Sequence, residues 1–424
     1  MSSLSFADRL SRARRFAAEH GVRALVAVVL LRRLGIFGQR LYPRESERRL
    51  SRWVAERSGR ASTFPGIVVL MSTLDWRYPY RQRPQHLAKA LAAIGHPVVY
   101  VTPCAGHDLV LSAEPVGKDI ILCPSLDVAL QAVERPTLVL LSTDTRWDAA
   151  HLDLVASRGG VVVYDYLDAL DDSLSVSPIT DERRRLHRRL LRDEAGTVVI
   201  SVADVLEAEV ARERRTGHAV VTNGVDLEPF LNARRGESLR ADMAAIVARG
   251  RPIIGYYGSL AAWFDYPLLL RLARERPQYE IVTIGPDLDG SSRAIGDPRP
   301  ENLHVLPGMD YEDLPRHARW FDVSLVPFVI NDITLATSPL KIFEYMALRT
   351  PIVSTPMPEC RKYASVLIGE NHEDFIRKVD LALTLRGDER YEKLLLEEAA
   401  ANAWTTKAEY VMGLVRSLVA APTP

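Results

Sequence analysis

From Gly66 onward, short and wholly apolar runs recur, separated by helical or turn-rich stretches. "GIVVLMS" (66–72), "HPVVYVT" (96–102), "KDIILC" (118–123), "PTLVLLST" (136–143), "GVVVYDY" (160–166), "TVVISV" (197–202) and "HAVVT" (218–222) form a first series. Strands apolar on both faces must be covered on both faces, and the helical stretches between them predict parallel pairing. The polar stretch 227–250, with Pro229 and "NARRGESLR", lacks this pattern and is read as a linker. A second series follows: "PIIGYYGS" (252–259), "YEIVTIGP" (279–286), "NLHVLPG" (302–308), "DVSLVPF" (322–328), "PIVST" (351–355) and "SVLIG" (365–369).

The expected fold class is therefore α/β, with two Rossmann-like doubly wound domains. The expected division is a basic helical N-terminal extension (1–62), an N-terminal domain (63–226), a linker (227–250), a C-terminal domain (251–403) and a last helix (404–424). Sheets of this kind bind ligands outside the C-terminal ends of their strands. Two of them facing a cleft suit a two-substrate reaction that excludes water.

Charge adds little globally: 54 Lys and Arg balance 54 Asp and Glu, and nothing points to nucleic acid. Locally the balance fails. Residues 1–60 hold 14 Arg, no Lys and 5 acidic residues, a net charge of about +9, around the apolar run Ala24–Leu31. Eight residues are too few to span a bilayer. The segment reads either as a docking element for an anionic membrane or as helices packed on the body with a solvated arginine face. Cys104, Cys123 and Cys360 are far apart and odd in number, which fits a reducing cytoplasm rather than a disulfide framework.

The stretch "TSPLKIFEYMALRTPIVST" (337–355) carries the sharpest chemical signal. Its helix is apolar nearly all round, yet Lys341 stands in the first turn, where the helix dipole disfavours a cation. Ser338 is read as the N-cap and Pro339 as the first helical residue. A bound phosphate reverses the penalty, because exposed amides and the lysine both attract an anion. Glu344, one turn on, could accept hydrogen bonds from a ribose diol. The alternative is a Lys–Glu pair facing water. In "YYGSLAAWFD" (256–265), Gly258 permits close backbone approach and Ser259 could touch phosphate; a plain strand–helix turn is the alternative.

Three further groups are candidates. Asp165 and Asp168, ending "VVVYDYLD", could serve as general base or merely cap and turn. Trp76, Arg81, Arg83 and His86, in "DWRYPYRQRPQHLAKAL" (75–91), suit sugar stacking and anionic acceptor groups, or form a cationic surface loop. Asp287 and Asp289 make a D-x-D that could hold a metal on a diphosphate, but they lie in a Gly-rich loop where aspartate is common in turns, and the turn reading is preferred. No histidine has metal-ligand spacing, and no metal or other cofactor is expected.

Taken together, "RPQHLAKALAAIGHPVVYV", "VTNGVDLEPF" and above all "SPLKIFEYMALRTPIVST" resemble the GT-B glycosyltransferases, nearest glycosyltransferase family 4, over roughly residues 66–410. The resemblance implies metal-independent transfer of a sugar from a nucleotide-sugar, a UDP-sugar being favoured, at the domain cleft. It places Lys341 near the diphosphate and Glu344 at the donor ribose. Backbone groups of "VLPGMDY" (305–311), around Met309, would read the base, and the helix after Trp404 would cross back to the first domain. Two departures stand out. Ala336 occupies the position of a second glutamate, and "GSLAAWFD" has no Arg or Lys. An inverting route with Asp165 or Asp168 as base then rivals a retaining one.

The expected function is a cytoplasmic glycosyltransferase building surface polysaccharide or glycolipid on a saccharide or lipid-linked acceptor. Its basic start would give peripheral contact with the plasma membrane. Two rivals remain. A sugar-nucleotide epimerase would convert the donor without an acceptor. A non-catalytic subunit would bind nucleotide-sugar and never turn over.

Overall fold

The computed structural model describes residues 43–58, 66–170, 179–236 and 238–420, and all counts below refer to these. The N-terminal half is an eight-stranded sheet. Its strands are β1 (Val68–Met71), β2 (Val98–Val101), β3 (Glu114–Pro115), β4 (Ile120–Cys123), β5 (Thr137–Leu141), β6 (Val161–Tyr166), β7 (Thr197–Ser201) and β8 (His218–Val220). Their order is β3-β4-β2-β1-β5-β6-β7-β8, parallel throughout except at β3–β4. The C-terminal half is a parallel six-stranded sheet of β9 (Ile253–Tyr257), β10 (Glu280–Ile284), β11 (Leu303–Leu306), β12 (Val323–Val326), β13 (Ile352–Ser354) and β14 (Val366–Ile368). Its order is β11-β10-β9-β12-β13-β14. The chain leaves β9 first toward β10 and later returns on its other side with β12, so the switch point lies beside β9.

The apolar runs explain these sheets. Every residue of β1, β2, β4, β5, β6 and β7 is buried, and so is every residue of β9, β10, β12 and β13. Each large aliphatic side chain so buried contributes roughly 1.5–3 kcal/mol.

Five helices matter for the site. Helix α1 (Pro43–Ser58) packs Leu50, Trp53 and Val54 on the N-terminal core. Those positions repeat at the i, i+3, i+4 spacing of an amphipathic helix. Its Arg44, Arg48, Arg49 and Arg52 face water, while Arg57 reaches Asp119 at 3.2 Å and lies over the Trp53 ring. This part of the basic extension is thus a packed helix with a solvated arginine face. The run Ala24–Leu31 lies outside the described residues.

Helix α2 (Arg83–Ala93) covers the other face of the same sheet. The stretch 227–250 is more than a bare connector. It folds into α3 (Leu227–Leu231) and a second short helix, Ala241–Val247, and buries Phe230, Met243 and Ile246 in the C-terminal core. Helix α4 (Leu340–Ala347) packs against α3 and the helix Glu389–Ala401. Helix α5 (Trp404–Ala420) returns to the N-terminal half, where Ala408, Val411, Met412 and Val415 pack beside α2.

The chain crosses between halves twice, near Val225 and near Ala403. The two crossings lie side by side: Val225 N–H donates to Asn402 O at 3.1 Å, and Trp404 N–H donates to Val225 O at 3.0 Å. A Cβ on Gly224 would collide with the Asn402 carbonyl, so only glycine permits this approach. Lys407 Nζ donates to Thr222 Oγ1 and Asn402 Oδ1, each at 2.8 Å, tying one crossing to the other. Burial pushes that ammonium down to about 7.

Candidate active site

Helix α4 begins at Leu340, one residue later than its sequence suggests. Pro339 occupies the N-cap, and no side chain caps the first turn. Ser338 does not cap the helix because its hydroxyl accepts the Asn223 N–H at 3.3 Å, while Asn223 Nδ2 donates to Ser338 O at 2.7 Å. No side-chain oxygen therefore caps the first turn, where Ile342 N–H reaches the Pro339 carbonyl at 3.3 Å and the Leu340 and Lys341 amides stay open, as an anion-binding helix start requires.

Lys341, half-buried, sits in that turn and forms no ion pair with any described residue. Its Nζ lies 5.6 Å from the Tyr256 ring centroid, and desolvation lowers its ammonium while Glu344 opposes the shift. Its side chain runs directly across Gly258. A Cβ there would overlap Lys341 Cε, and Gly258 holds φ 133°, a conformation that favours glycine.

Glu344 is 1% exposed. Its two oxygens accept one tyrosine hydroxyl each: Oε2 from Tyr257 and Oε1 from Tyr311, both at 2.7 Å. Burial pushes its carboxyl up to about 7, against the two hydrogen bonds and Lys341. Neither tyrosine is marked as a partner by sequence alone. The usable signal was position: Tyr257 ends β9 and Tyr311 follows β11, and strand ends face the cleft.

A cavity joins these residues. Gly258, Ser259, Tyr257, Tyr311, Lys341 and Glu344 line it from the C-terminal half, and Tyr80, Arg81 and Gln82 from the N-terminal half. Met309 packs partly buried against the C-terminal core instead. The N-terminal loop that closes the cavity is pinned by carboxylates. Asp75 accepts backbone N–H groups of Ala105, Gly106, His107 and Asp108 at 2.6–3.1 Å, and Asp108 in return accepts those of Trp76 and Arg77. Beyond the pin, Arg81 pairs with Glu312 across the cleft, and the Tyr80 ring lies on Gly308, where a Cβ would collide with it.

A second cavity opens beside the first and shares Gln82. Thr73, Arg83, Asp168 and Asn223 line it, with Thr337 and Ser338 from the C-terminal half. The two aspartates now separate. Asp165 is 1% exposed and accepts from Arg83 Nε at 2.8 Å, so it is held in a buried ion pair rather than facing the cleft. Asp168 is exposed as a residue, its carboxyl makes no hydrogen bond with the described residues, and the protein atoms crowded about that carboxyl raise its pKa by desolvation.

The other sequence candidates mostly serve structure. Arg83 is buried, with Nη1 on the Thr222 carbonyl and Asn223 Oδ1, so it is no open acceptor surface. His86 is 2% exposed and lies in the junction, stacked on Trp404 and edge-on to Tyr311. Burial drives its pKa down to about 3. Trp76 packs edge-on against Tyr100 and lines neither cavity. Asp287 and Asp289 accept N–H groups of Gly290, Ser291 and Ala262, as turn residues do. Among the described residues no cluster of His, Cys, Asp or Glu could hold a metal ion, and no helix is long and apolar enough to cross a membrane.

Ala336 supplies the last feature. It is 5% exposed and packs into the N-terminal apolar cluster. A glutamate side chain there would meet that cluster rather than an open cleft.

No family model matches the chain. A curated protein of Bacillus subtilis (strain 168), described as the putative teichuronic acid biosynthesis glycosyltransferase TuaH, is 24% identical over 300 residues, 65% of this chain and 69% of that protein. Sucrose-phosphate synthase from Thermosynechococcus elongatus has a similar structure, with TM-score 0.57 and 16% identity, covering 84% of this chain and 99% of that one. An E. coli structure described as trehalose-6-phosphate bound with UDP-2-fluoro glucose has TM-score 0.59 and 13% identity, covering 84% and 99%. Two facing Rossmann-like sheets with a cleft between them give the chain the fold of the GT-B glycosyltransferases, and the relative it matches in sequence is described as a glycosyltransferase.

Proposed function

We propose that this chain is a glycosyltransferase that moves a sugar from a nucleotide-sugar, a UDP-sugar being favoured, to a saccharide or lipid-linked acceptor of surface polysaccharide or glycolipid. One observation carries the donor assignment: the uncapped start of α4, with Lys341 and Glu344, opens on a cavity walled by both halves. The diphosphate lies at the helix start, where Lys341 and the free amides neutralise it without a metal. Ser259 adjoins the phosphates, backbone groups of the segment 305–311 read the base, and Glu344 receives the ribose hydroxyls. The relative's description and the UDP-sugar in the E. coli structure support this reading.

Asp168, in the adjoining cavity, deprotonates the acceptor hydroxyl. The acceptor oxygen then bonds to the anomeric carbon as the bond from that carbon to the diphosphate oxygen breaks. The nucleoside diphosphate leaves with the electron pair, and the proton rests on Asp168. Ala336, held in apolar packing, provides no carboxylate on the donor side, which favours attack with inversion. We place the enzyme in the cytoplasm, with residues 1–60 giving peripheral contact to an anionic membrane. The test is nucleotide release from UDP-, GDP-, dTDP- and CDP-sugars, with Lys341→Ala and Gly258→Ala alongside. Both variants should weaken donor binding about tenfold or more, as loss of a charge-assisted contact does. Wild-type affinity in both would overturn the donor assignment.

A further inference from the structure

The two tyrosines on Glu344 belong to different parts of the molecule. Tyr257 is held wholly within the C-terminal half. Its ring meets Tyr345 at 4.9 Å, and its N–H donates to the Tyr345 hydroxyl at 3.0 Å. Tyr311 is held from both sides. Phe230 of α3 contacts its ring from the C-terminal half at 5.9 Å. From the N-terminal half, the His86 ring stands 5.0 Å away and the Arg81 guanidinium lies over the ring at 5.5 Å. Its own N–H donates to the Pro79 carbonyl at 3.1 Å, and the next residue, Glu312, pairs with Arg81. Thus one oxygen of the carboxylate is fixed by a local partner, and the other by a partner whose place depends on the loop 75–82.

We propose that Tyr311 is a positioning residue that couples closure of the cleft to donor capture: the N-terminal half holds its backbone and ring, and its hydroxyl holds Glu344. This rests on Glu344 being the carboxylate that receives the donor ribose. With the cleft closed, both Glu344 oxygens are oriented and the ionised form is stabilised. With the cleft open, Tyr311 loses Pro79, Arg81 and His86 and its hydroxyl is no longer fixed. Glu344 then keeps one donor inside an apolar wall, where a carboxylate is harder to ionise. Tight donor binding is confined in this way to the closed state, in which water is excluded and the acceptor cavity is complete.

The charged and titratable groups around Glu344 set the sign. Lys341 on α4 favours its ionised form, and Asp226 before α3 opposes it. The Tyr257 and Tyr311 hydroxyls favour ionisation by donating. Removing the Tyr311 hydroxyl therefore raises the Glu344 pKa, and the acid-side loss of affinity moves to higher pH.

The experiment measures UDP affinity by calorimetry from about pH 5.5 to 8.5 for the wild type, Tyr311→Phe, Tyr257→Phe, Arg81→Ala and Glu344→Gln. Tyr311→Phe keeps the ring, so the fold persists. It should bind UDP about tenfold more weakly at neutral pH and shift the acid limb upward. Arg81→Ala, which leaves the hydroxyl in place but loosens its support, should move the limb the same way by less. A limb unmoved in Tyr311→Phe, while Glu344→Gln loses affinity, would overturn the coupling and leave the donor site intact. Wild-type affinity in Glu344→Gln would overturn both.

Discussion

Glu344 should be a burden to the fold above neutral pH, and Glu344→Gln should remove it. Burial raises this carboxyl to about 7 from the ordinary glutamate value of 4.5. A carboxyl raised on folding binds its proton more tightly in the native state. Its neutral form therefore costs nothing extra below the unfolded pKa, and the native state loses stability as pH climbs toward the folded one. At about 1.4 kcal/mol per unit, the wild type carries a penalty of about 3 kcal/mol near pH 8 and about 1 kcal/mol near pH 5.5. Glutamine keeps the shape and the neutral state: its carbonyl accepts from one tyrosine and its amide donates to the other. The variant should thus be more stable than wild type by up to about 3 kcal/mol near pH 8, with the gain shrinking toward pH 5.5. Thermal and urea unfolding at the two pH values, in the absence of nucleotide, measure it. An equal gain at both pH values, or a loss at pH 8, would refute the assignment of the strain to this carboxylate. Paired with lost UDP affinity, the gain would mark Glu344 as a group retained for binding at the expense of stability.

Two further predictions concern other parts of the chain. Asp165→Asn should destabilise by about 3–5 kcal/mol because it leaves Arg83 charged and buried without its partner, whereas Asp168→Asn should abolish transfer with unfolding unchanged. Full stability with lost turnover in Asp165→Asn would reverse the two roles. Deleting residues 1–60 should lower binding to anionic liposomes in a sedimentation assay, although it also strips α1 from the core; unchanged binding removes the membrane contact.

The sheets were legible because their signal is local: an apolar run bounded by turns carries its own instruction, from "VVLM" in β1 to "IVS" in β13. Lys341 and Glu344 were legible for a related reason, as charges out of place on an apolar helix. What stayed hidden depends on partners far away in the chain. Asp165 and Asp168 look alike in "VVVYDYLD", and only Arg83, 82 residues earlier, separates them. Tyr311 reads as an ordinary aromatic until Pro79, His86 and Glu344 surround it. The helix start was misjudged by one residue because Ser338 has a competing partner, Asn223, at 115 residues' distance. The buried Phe230, Met243 and Ile246 were lost in a stretch whose overall polarity suggested a linker.

The paired crossings at Val225 and Ala403 govern how the halves can move. Bonded side by side, and tied again by Lys407, they act as a single pin rather than two loose straps. A swing about that pin would leave these contacts in place, whereas sliding would break the hydrogen bonds donated by the Val225 and Trp404 amides together. We expect motion of the cleft to be dominated by one hinge angle. The Arg81–Glu312 bridge, the Pro79–Tyr311 bond and the Asn223–Ser338 bond must then make or break along the same coordinate. A measurement that reports that single angle, such as a distance between labels on the two halves, would report the state of the whole mouth.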